Sequence, residues 1–358
     1  MELSSLTVIL TDQCNFNCAY CYEKRGRKCL DPAILARAIR FFQPFFAREC
    51  FIDFYGGEPL LAFAEIKQSV GQMEKSFKKK AGNKVHYSIT TNGSLLNDTI
   101  LDFLEKHRFS IVLSFDGLAQ DISRKEGSFD FLVSIIPRIL ERPGISLEIH
   151  SVFTSDTIRY LSRSVELIDQ MGVRKLSVGF GHKRPWTSAS LLRQNKELAL
   201  VRKYFRFYYR NISEIPWAEW GEPLKWSIYG CAAGRGKMAL AADGTLWGCF
   251  LFPQFFSGSK NSREAEKYCF GDVNTYIKNH LTIYPRIMEN YAALRMDNFS
   301  TPEWPCAMCE ELEECWICPL AAALVSRKIG RIPALICGGA KMWRKEKSRL
   351  QGEFKKPN

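Results

Sequence analysis

Cys14, Cys18 and Cys21 stand at C-x3-C-x2-C spacing in the run Thr11-Asp-Gln-Cys-Asn-Phe-Asn-Cys-Ala-Tyr-Cys-Tyr22. Three thiolates so placed can hold three irons of a four-iron cluster and leave the fourth open to a small molecule. A cluster with an open iron does chemistry, whereas a fully ligated one carries electrons or holds structure. The competing reading is structural zinc, which needs a fourth ligand; Cys29 is the one residue at a suitable local spacing. A second concentration lies far along the chain, since eight of the 13 cysteines follow residue 230. Cys231, Gly244 and Cys249 form C-x12-G-x4-C, and Cys306, Cys309, Cys315 and Cys318 form C-x2-C-x5-C-x2-C, with Cys337 beyond them. In a reducing compartment, clustered cysteines read as metal ligands rather than disulfides.

The elements that position the first group alternate. Short β-rich runs predict strands over residues 6–10, 51–54, 86–90, 110–114, 146–153 and 175–179. Helical patterns fall between and after them, over about 32–46, 62–79, 98–107, 129–141, 158–171 and 189–210. Asp31-Pro32 is a helix start, a capping side chain followed by proline in the first turn. Six such β-α units predict a parallel sheet with helices outside, and sites in parallel α/β folds form at the C-terminal strand ends. Three short motifs fall there. Gly56-Gly57-Glu58-Pro59 follows the second strand, Thr91-Asn92-Gly93-Ser94-Leu95-Leu96 the third, and Ser114-Phe115-Asp116-Gly117 the fourth, with Arg124 close behind. Each alone is also an ordinary turn sequence.

Taken in order, these motifs resemble the radical S-adenosylmethionine (SAM) enzymes. The resemblance implies an α/β fold, a partial (β/α)6 barrel over residues 1–215. It implies that Cys14, Cys18 and Cys21 hold the reactive 4Fe-4S cluster. It places Gly56, Gly57 and Glu58 at the SAM amino group and Thr91 and Asn92 beside the SAM site. Ser114, Asp116 and Arg124 belong to the same pocket, with the serine and arginine at the SAM carboxylate, a contact suited to arginine. Tyr20 resembles the aromatic residue whose backbone meets adenine. His86, His107, His150 and His182 are weighed as catalytic groups, but a strand histidine is more often a satisfied core residue. The run Phe41-Phe42-Gln43-Pro44-Phe45-Phe46 reads as packing around a helix end, and Cys29 and Cys50 as ordinary small side chains.

The later cysteines resemble a SPASM domain, expected as a small cysteine-rich α+β unit over residues 216–340, followed by a basic tail over 341–358. Asp243-Gly244 looks like the turn of a hairpin that delivers Cys249. The resemblance implies two auxiliary 4Fe-4S clusters, three clusters in all. Cys306, Cys309, Cys315 and Cys337 would fully ligate one, and Cys231, Cys249 and Cys318 would hold the other. The chain departs from the family's usual spacing by one residue before Cys318. The second auxiliary cluster either takes Cys269 as its fourth ligand or keeps an open iron for a substrate thiolate or backbone nitrogen.

Composition narrows the class. Hydrophobic residues make up 46% and charged residues 25% of 358, enough for a sizeable core. No apolar run is long enough for a membrane span, and Met-Glu-Leu-Ser-Ser lacks a basic signal-peptide start, so a cytoplasmic protein is expected. Net charge is +12, spread along the chain except at residues 78–80 and in the tail. Nothing in it matches a nucleic-acid motif, and nucleic acid and membrane are not expected as partners.

SPASM enzymes mostly act on polypeptides. One branch converts a Cys or Ser of a sulfatase to formylglycine; another crosslinks or epimerises ribosomally made peptides. The sulfatase branch has an Asp directly after the cysteine that closes the C-x12-G-x4-C pattern, and here that position is Phe250. Without that proton acceptor the reading favours a peptide maturase acting on a precursor peptide. Only 13 residues precede Cys14, so leader recognition is expected from the barrel itself or from a separate leader-binding protein. An electron donor such as flavodoxin or ferredoxin is implied. A small-molecule dehydrogenase and a non-catalytic iron–sulfur carrier are the readings from other classes; the second leaves the Gly56–Pro59 and Thr91–Gly93 segments without a purpose.

Overall fold

The computed structural model describes residues 2–77, 84–183, 185–221, 231–257, 262–315 and 317–355. The basic run at 78–80 lies outside these residues. Six parallel strands come first: β1 (Leu3–Thr11), β2 (Phe46–Gly56), β3 (Lys84–Thr91), β4 (Ser110–Ser114), β5 (Ser146–Phe153) and β6 (Leu176–Phe180). The helices that follow them in turn are α1 (Pro32–Phe42), α2 (Phe63–Phe77), α3 (Asp98–Lys106), α4 (Ser128–Leu140), α5 (Leu161–Gln170) and α6 (Ser188–Tyr208).

The period of two along each strand separates two faces. Ile52, Phe54, Ile89, Ile111, Leu113 and Ile149 are fully buried, while the alternate positions Asp53, Tyr55, Ser88, Ser114 and His150 stay partly accessible. The first face makes the core; the second lines the inside of the curved sheet. Asp31 caps α1 by accepting a bond from the Ala33 amide at 2.7 Å. That helix ends at Phe42, short of the expected end near 46. Pro44 cannot donate to a continuing helix, so 43–45 form one tight turn and Phe46 already opens β2.

The sheet does not stop at β1. Its strand order is β6-β5-β4-β3-β2-β1-β7-β8-β9. β7 (Lys237–Leu240) lies parallel along the second edge of β1, β8 (Thr245–Trp247) adds antiparallel to β7, and β9 (Cys269–Asp272) antiparallel to β8. The six first strands therefore do not close on themselves, and the cysteine-rich region shares their sheet. Helices α7 (Val273–Ala292), α8 (Pro319–Ser326) and α9 (Ala334–Phe354) complete it. The phenylalanine run packs across this join, with the Phe41 ring 5.9 Å from Tyr276 and 5.0 Å from His280 between centroids.

Residues 341–354, read in sequence as part of a basic tail, belong to α9 and pack against α6. Trp343 is buried and meets Trp220 edge-on at 6.2 Å, and Trp220 stacks on Trp217 at 4.8 Å. Arg202 on α6 pairs with Glu346 at 3.0 Å and with Glu353, and Lys347 Nζ donates to the Glu219 carbonyl at 2.6 Å. Among the described residues no helix is long and apolar enough to cross a membrane. Trp343→Ala should lower unfolding free energy by about 3–5 kcal/mol, since it empties an aromatic site at the helix–barrel seam. Urea titration under anaerobic conditions measures this, and a change below about 1 kcal/mol would show that α9 docks without its tryptophan.

Candidate active site at the strand ends

The loop after β1 carries Cys14, Cys18 and Cys21, and its shape is set by backbone bonds. Asp12 N donates to Lys28 O at 3.0 Å and Gly26 N to Asp12 O at 3.2 Å, so the loop returns on itself. Thr11 Oγ1 donates to Lys28 O and accepts from Gln13 N, both at 3.0 Å. Ala19 N donates to Ser123 O at 2.8 Å, which ties the cysteine loop to the segment after β4.

Gly56 and Gly57 meet this loop backbone to backbone. Gly57 N donates to Thr11 O and Glu58 N to Gln13 O, each at 2.8 Å. A Cβ on Gly57 would lie 2.3 Å from Gln13 O, and one on Gly56, whose φ is +142°, 2.5 Å from Thr11 O. The glycines are thus required by contact with the cysteine loop as well as by any ligand. Glu58 is fully buried and spends its carboxylate on protein donors: Leu60 N at 3.1 Å, Thr91 Oγ1 at 2.7 Å and Asn92 N at 2.8 Å. Burial pushes its pKa up to about 7, against the pull of those three donors. Asn92 Nδ2 then donates to Asn15 Oδ1 at 2.8 Å, back in the cysteine loop.

Asp116 is the second centre. It is fully buried and accepts from Tyr20 Oη at 2.7 Å, Val152 N at 2.8 Å, Arg124 at 2.9 Å and Ser123 Oγ. Arg124 also donates to His150 O at 3.2 Å, and its guanidinium lies 5.3 Å from the Tyr20 ring centroid. Sequence reasoning gave Arg124 and Ser114 to a ligand carboxylate. The structure commits one end of the guanidinium to Asp116, while Nε is buried without a partner among the described residues. Ser114, paired with His150 across β4 and β5, ends its strand on the inner face nearby. Tyr20 is placed by its side chain, through Asp116.

Of the four histidines weighed, His107 is bonded to Glu74 at 2.6 Å and His86 stacks on Phe51 at 4.9 Å. His150 faces inward, and burial, with Arg124 adding to it, lowers its pKa to about 4. Burial also lowers that of His182. A group that sequence reasoning missed lies directly after Cys21. Tyr22 Oη and Tyr55 Oη are 2.6 Å apart, and burial pushes Glu23 up to about 8 although the Tyr55 hydroxyl opposes this. The signal available was the inward alternation of Tyr55 on β2 and the position of Tyr22-Glu23 beside the cysteines. Phe250 packs its ring on Tyr55 at 4.8 Å.

The later cysteines gather in two places. Cys306, Cys309, Cys315 and Cys337 line one cavity together with Trp304 and Lys341. Burial, then the neighbouring thiols, push Cys306 up to about 11. Cys249 rises to about 12 through burial, then Cys318 and Cys231. Gly244 takes φ +80° in the turn between β7 and β8 that leads to Cys249. Among the described residues no three His, Cys, Asp or Glu side chains close on one point as ligands to a single ion would.

Residues 8–179 match the Radical SAM superfamily, and the chain carries the radical SAM fold. It is 24% identical over 189 residues to a cysteine-type anaerobic sulfatase-maturating enzyme of Clostridium novyi, covering 49% of this chain and 50% of that one. Its structure is similar to native anSMEcpe with bound AdoMet and Cp18Cys peptide, at TM-score 0.74 and 17% identity over 98% of both chains. It is also similar to SuiB of Streptococcus suis bound to precursor peptide SuiA, at TM-score 0.57 and 18% identity, covering 94% of this chain and 76% of that one.

The residues at the strand ends fit the cluster and SAM that this family binds. Burial pushes Cys18 up to about 11, with Arg124 pulling down and Cys21 and Cys14 adding to the rise; coordination to iron removes that penalty along with the proton. The buried Arg124 Nε is a donor in want of an acceptor.

Two changes test the electrostatics. Asp116→Asn leaves Arg124 as an uncompensated buried charge and should cost about 3–5 kcal/mol of stability, read by anaerobic urea titration. His150 is neutral when folded and gains its proton readily only when unfolded. Its contribution is therefore fully present above the unfolded pKa of about 6.5 and is lost as pH falls towards 4. Wild-type stability should drop by on the order of 2–3 kcal/mol more than that of His150→Gln across this window. Parallel pH profiles of the two proteins would rule the assignment out.

Proposed function

We propose that this chain is a radical SAM peptide maturase with a SPASM-type auxiliary domain, an oxidoreductase acting on a ribosomally made precursor peptide. Cys14, Cys18 and Cys21 would hold the reactive 4Fe-4S cluster, and Gly56, Gly57, Asn92, Ser114 and Arg124 would surround SAM. Bound there, the cluster and SAM would supply radical chemistry able to take a hydrogen from a peptide residue. Cys306, Cys309, Cys315 and Cys337 would hold one auxiliary cluster, and Cys231, Cys249 and Cys318 the other, to take up an electron when the net change is oxidative. The product would be a carbon–carbon, ether or thioether crosslink, and a flavodoxin or ferredoxin would supply electrons.

The observation that carries this reading is Phe250. Its ring packs on Tyr55 directly after Cys249, where formylglycine chemistry asks for a carboxylate to receive a proton. Two structures of the same fold were solved with peptides, one of them a precursor peptide. Formylglycine formation is the second reading, favoured by the likeness to the Clostridium novyi enzyme.

Cys18→Ala should reduce 5′-deoxyadenosine formation under strong reductant to the level without protein. Production at the wild-type rate would sink the reading. Anaerobic co-expression with the short open reading frame nearest the gene should yield a peptide lighter by two hydrogens per site. An aldehyde on a Cys-containing sulfatase peptide, with that precursor untouched, would establish the second reading instead.

A further inference from the structure

Lys24-Arg25-Gly26-Arg27-Lys28 places four cations in five residues, shortly after Cys21. All five residues are exposed. Such a run is usually a solvated surface, but three features set this one apart.

The first is that the run is held in place. Asp12 N donates to Lys28 O at 3.0 Å, Gly26 N to Asp12 O at 3.2 Å and Leu30 N to Leu10 O at 2.8 Å, so the segment lies as a strap along the end of β1. The approach is close, since a Cβ on Gly26 would lie 3.1 Å from the Asp12 side chain. Both ends are tied to the cysteine-rich region. Lys28 pairs with Asp243 at 3.3 Å, and Lys24 Nζ donates to Ser257 O.

The second is the charge left over. Arg25 and Arg27 make no ion pair among the described residues. The neighbouring carboxylates are engaged elsewhere: Asp243 with Lys28 and Thr245, Glu23 with the Tyr55 hydroxyl, and Asp12 facing Lys28. Two guanidiniums held on one strap repel each other. An acidic surface brought from outside would supply the missing counter-charge.

The third is position. Burial raises the Cys14 and Cys21 thiols, and Arg25 is the cation that pulls both back. Within the cysteine loop itself Asn15, Asn17 and Ala19 are exposed, and Lys125 lies over the Phe16 ring at 5.2 Å. The outer side of the loop is therefore open and carries cations.

We propose that Arg25 and Arg27 form the docking surface for an acidic one-electron carrier protein that reduces the cluster held by Cys14, Cys18 and Cys21. SAM cleavage consumes one electron, which no side chain here supplies; the carrier loses one electron as the cluster gains one. The inference rests on the radical SAM reading above.

The test uses the full chain, purified anaerobically and loaded with iron and sulfide, with a dye-labelled flavodoxin as the probe. At low ionic strength Arg25→Glu/Arg27→Glu should raise the Kd read by fluorescence anisotropy about tenfold or more. Arg25→Gln/Arg27→Gln should give a smaller rise and stands in should the reversed pair fail to fold. Arg163→Glu/Arg193→Glu removes the same net charge from α5 and α6 and should bind like wild type. The affinities of wild type and strap variants should converge at about 1 M salt, where the Debye length is about 3 Å. Cluster reduction by flavodoxin hydroquinone, followed in a stopped-flow spectrometer, should slow in step with the affinity.

Equal weakening by the α5–α6 pair would assign the effect to net charge and overturn the proposal. A defect of the same size with methyl viologen radical as the electron source would place it in the cluster and overturn it too. So would a raised KM for the peptide of the nearest short reading frame with flavodoxin affinity unchanged, since the strap would then bind substrate. Wild type that forms no 5′-deoxyadenosine with methyl viologen removes the radical SAM reading itself.

Discussion

The backbone contact between the cysteine loop and the end of β2 is the constraint on which the site depends. Two amide bonds, from Gly57 to Thr11 and from Glu58 to Gln13, bring two strand ends closer than any side chain would allow. Glu58 then reaches Thr91 and Asn92 at the end of β3, and Asn92 returns to Asn15. The loop is held from its underside by residues at the ends of β2 and β3. A loop of 20 residues with little secondary structure of its own keeps one shape because its neighbours leave no other.

Asp116 does the same for the opposite side. A buried carboxylate is tolerable only when its lone pairs are filled, and Tyr20, Ser123, Arg124 and Val152 fill them. In doing so Asp116 joins the cysteine loop to β4 and β5. The buried Arg124 Nε is the exception in this otherwise satisfied network. Where a tightly bonded site leaves one strong donor unanswered, a ligand anion is the natural acceptor.

Much of this was legible in the sequence, and the reasons differ by element. β4 and β5 were expected at their observed bounds, because apolar residues alternate over a short run bounded by turns. β2 extends well beyond the expected 51–54, since Arg48 and Glu49 hide the alternation at its start. The short motifs at the ends of β2, β3 and β4 were legible as positions, but the roles of Glu58 and Arg124 were not, since only the fold shows which protein donors and acceptors they meet. The pairing of β7 with β1 carries no local signal, because its partner lies more than 230 residues earlier. The docking of α9 was hidden for another reason. Its lysines and arginines read as a solvated tail, while Trp343, Arg202 and Glu346 hold it to the barrel.

The placement of β1 orders events in time. A strand with parallel neighbours on both edges is finished only when both have been made, and one of them begins at Lys237. During synthesis the first cysteine loop therefore emerges on a strand with both edges bare, and one edge stays bare until about two-thirds of the chain has been made. Pairing over so long a separation is slow to form, because loop closure must precede the contacts that reward it. Iron delivered early would meet an unfinished strand. Completion of the strand that leads into Cys14, Cys18 and Cys21 is thereby tied to arrival of the last third of the polypeptide, and a truncated chain would lack the edge on which its own first strand is completed.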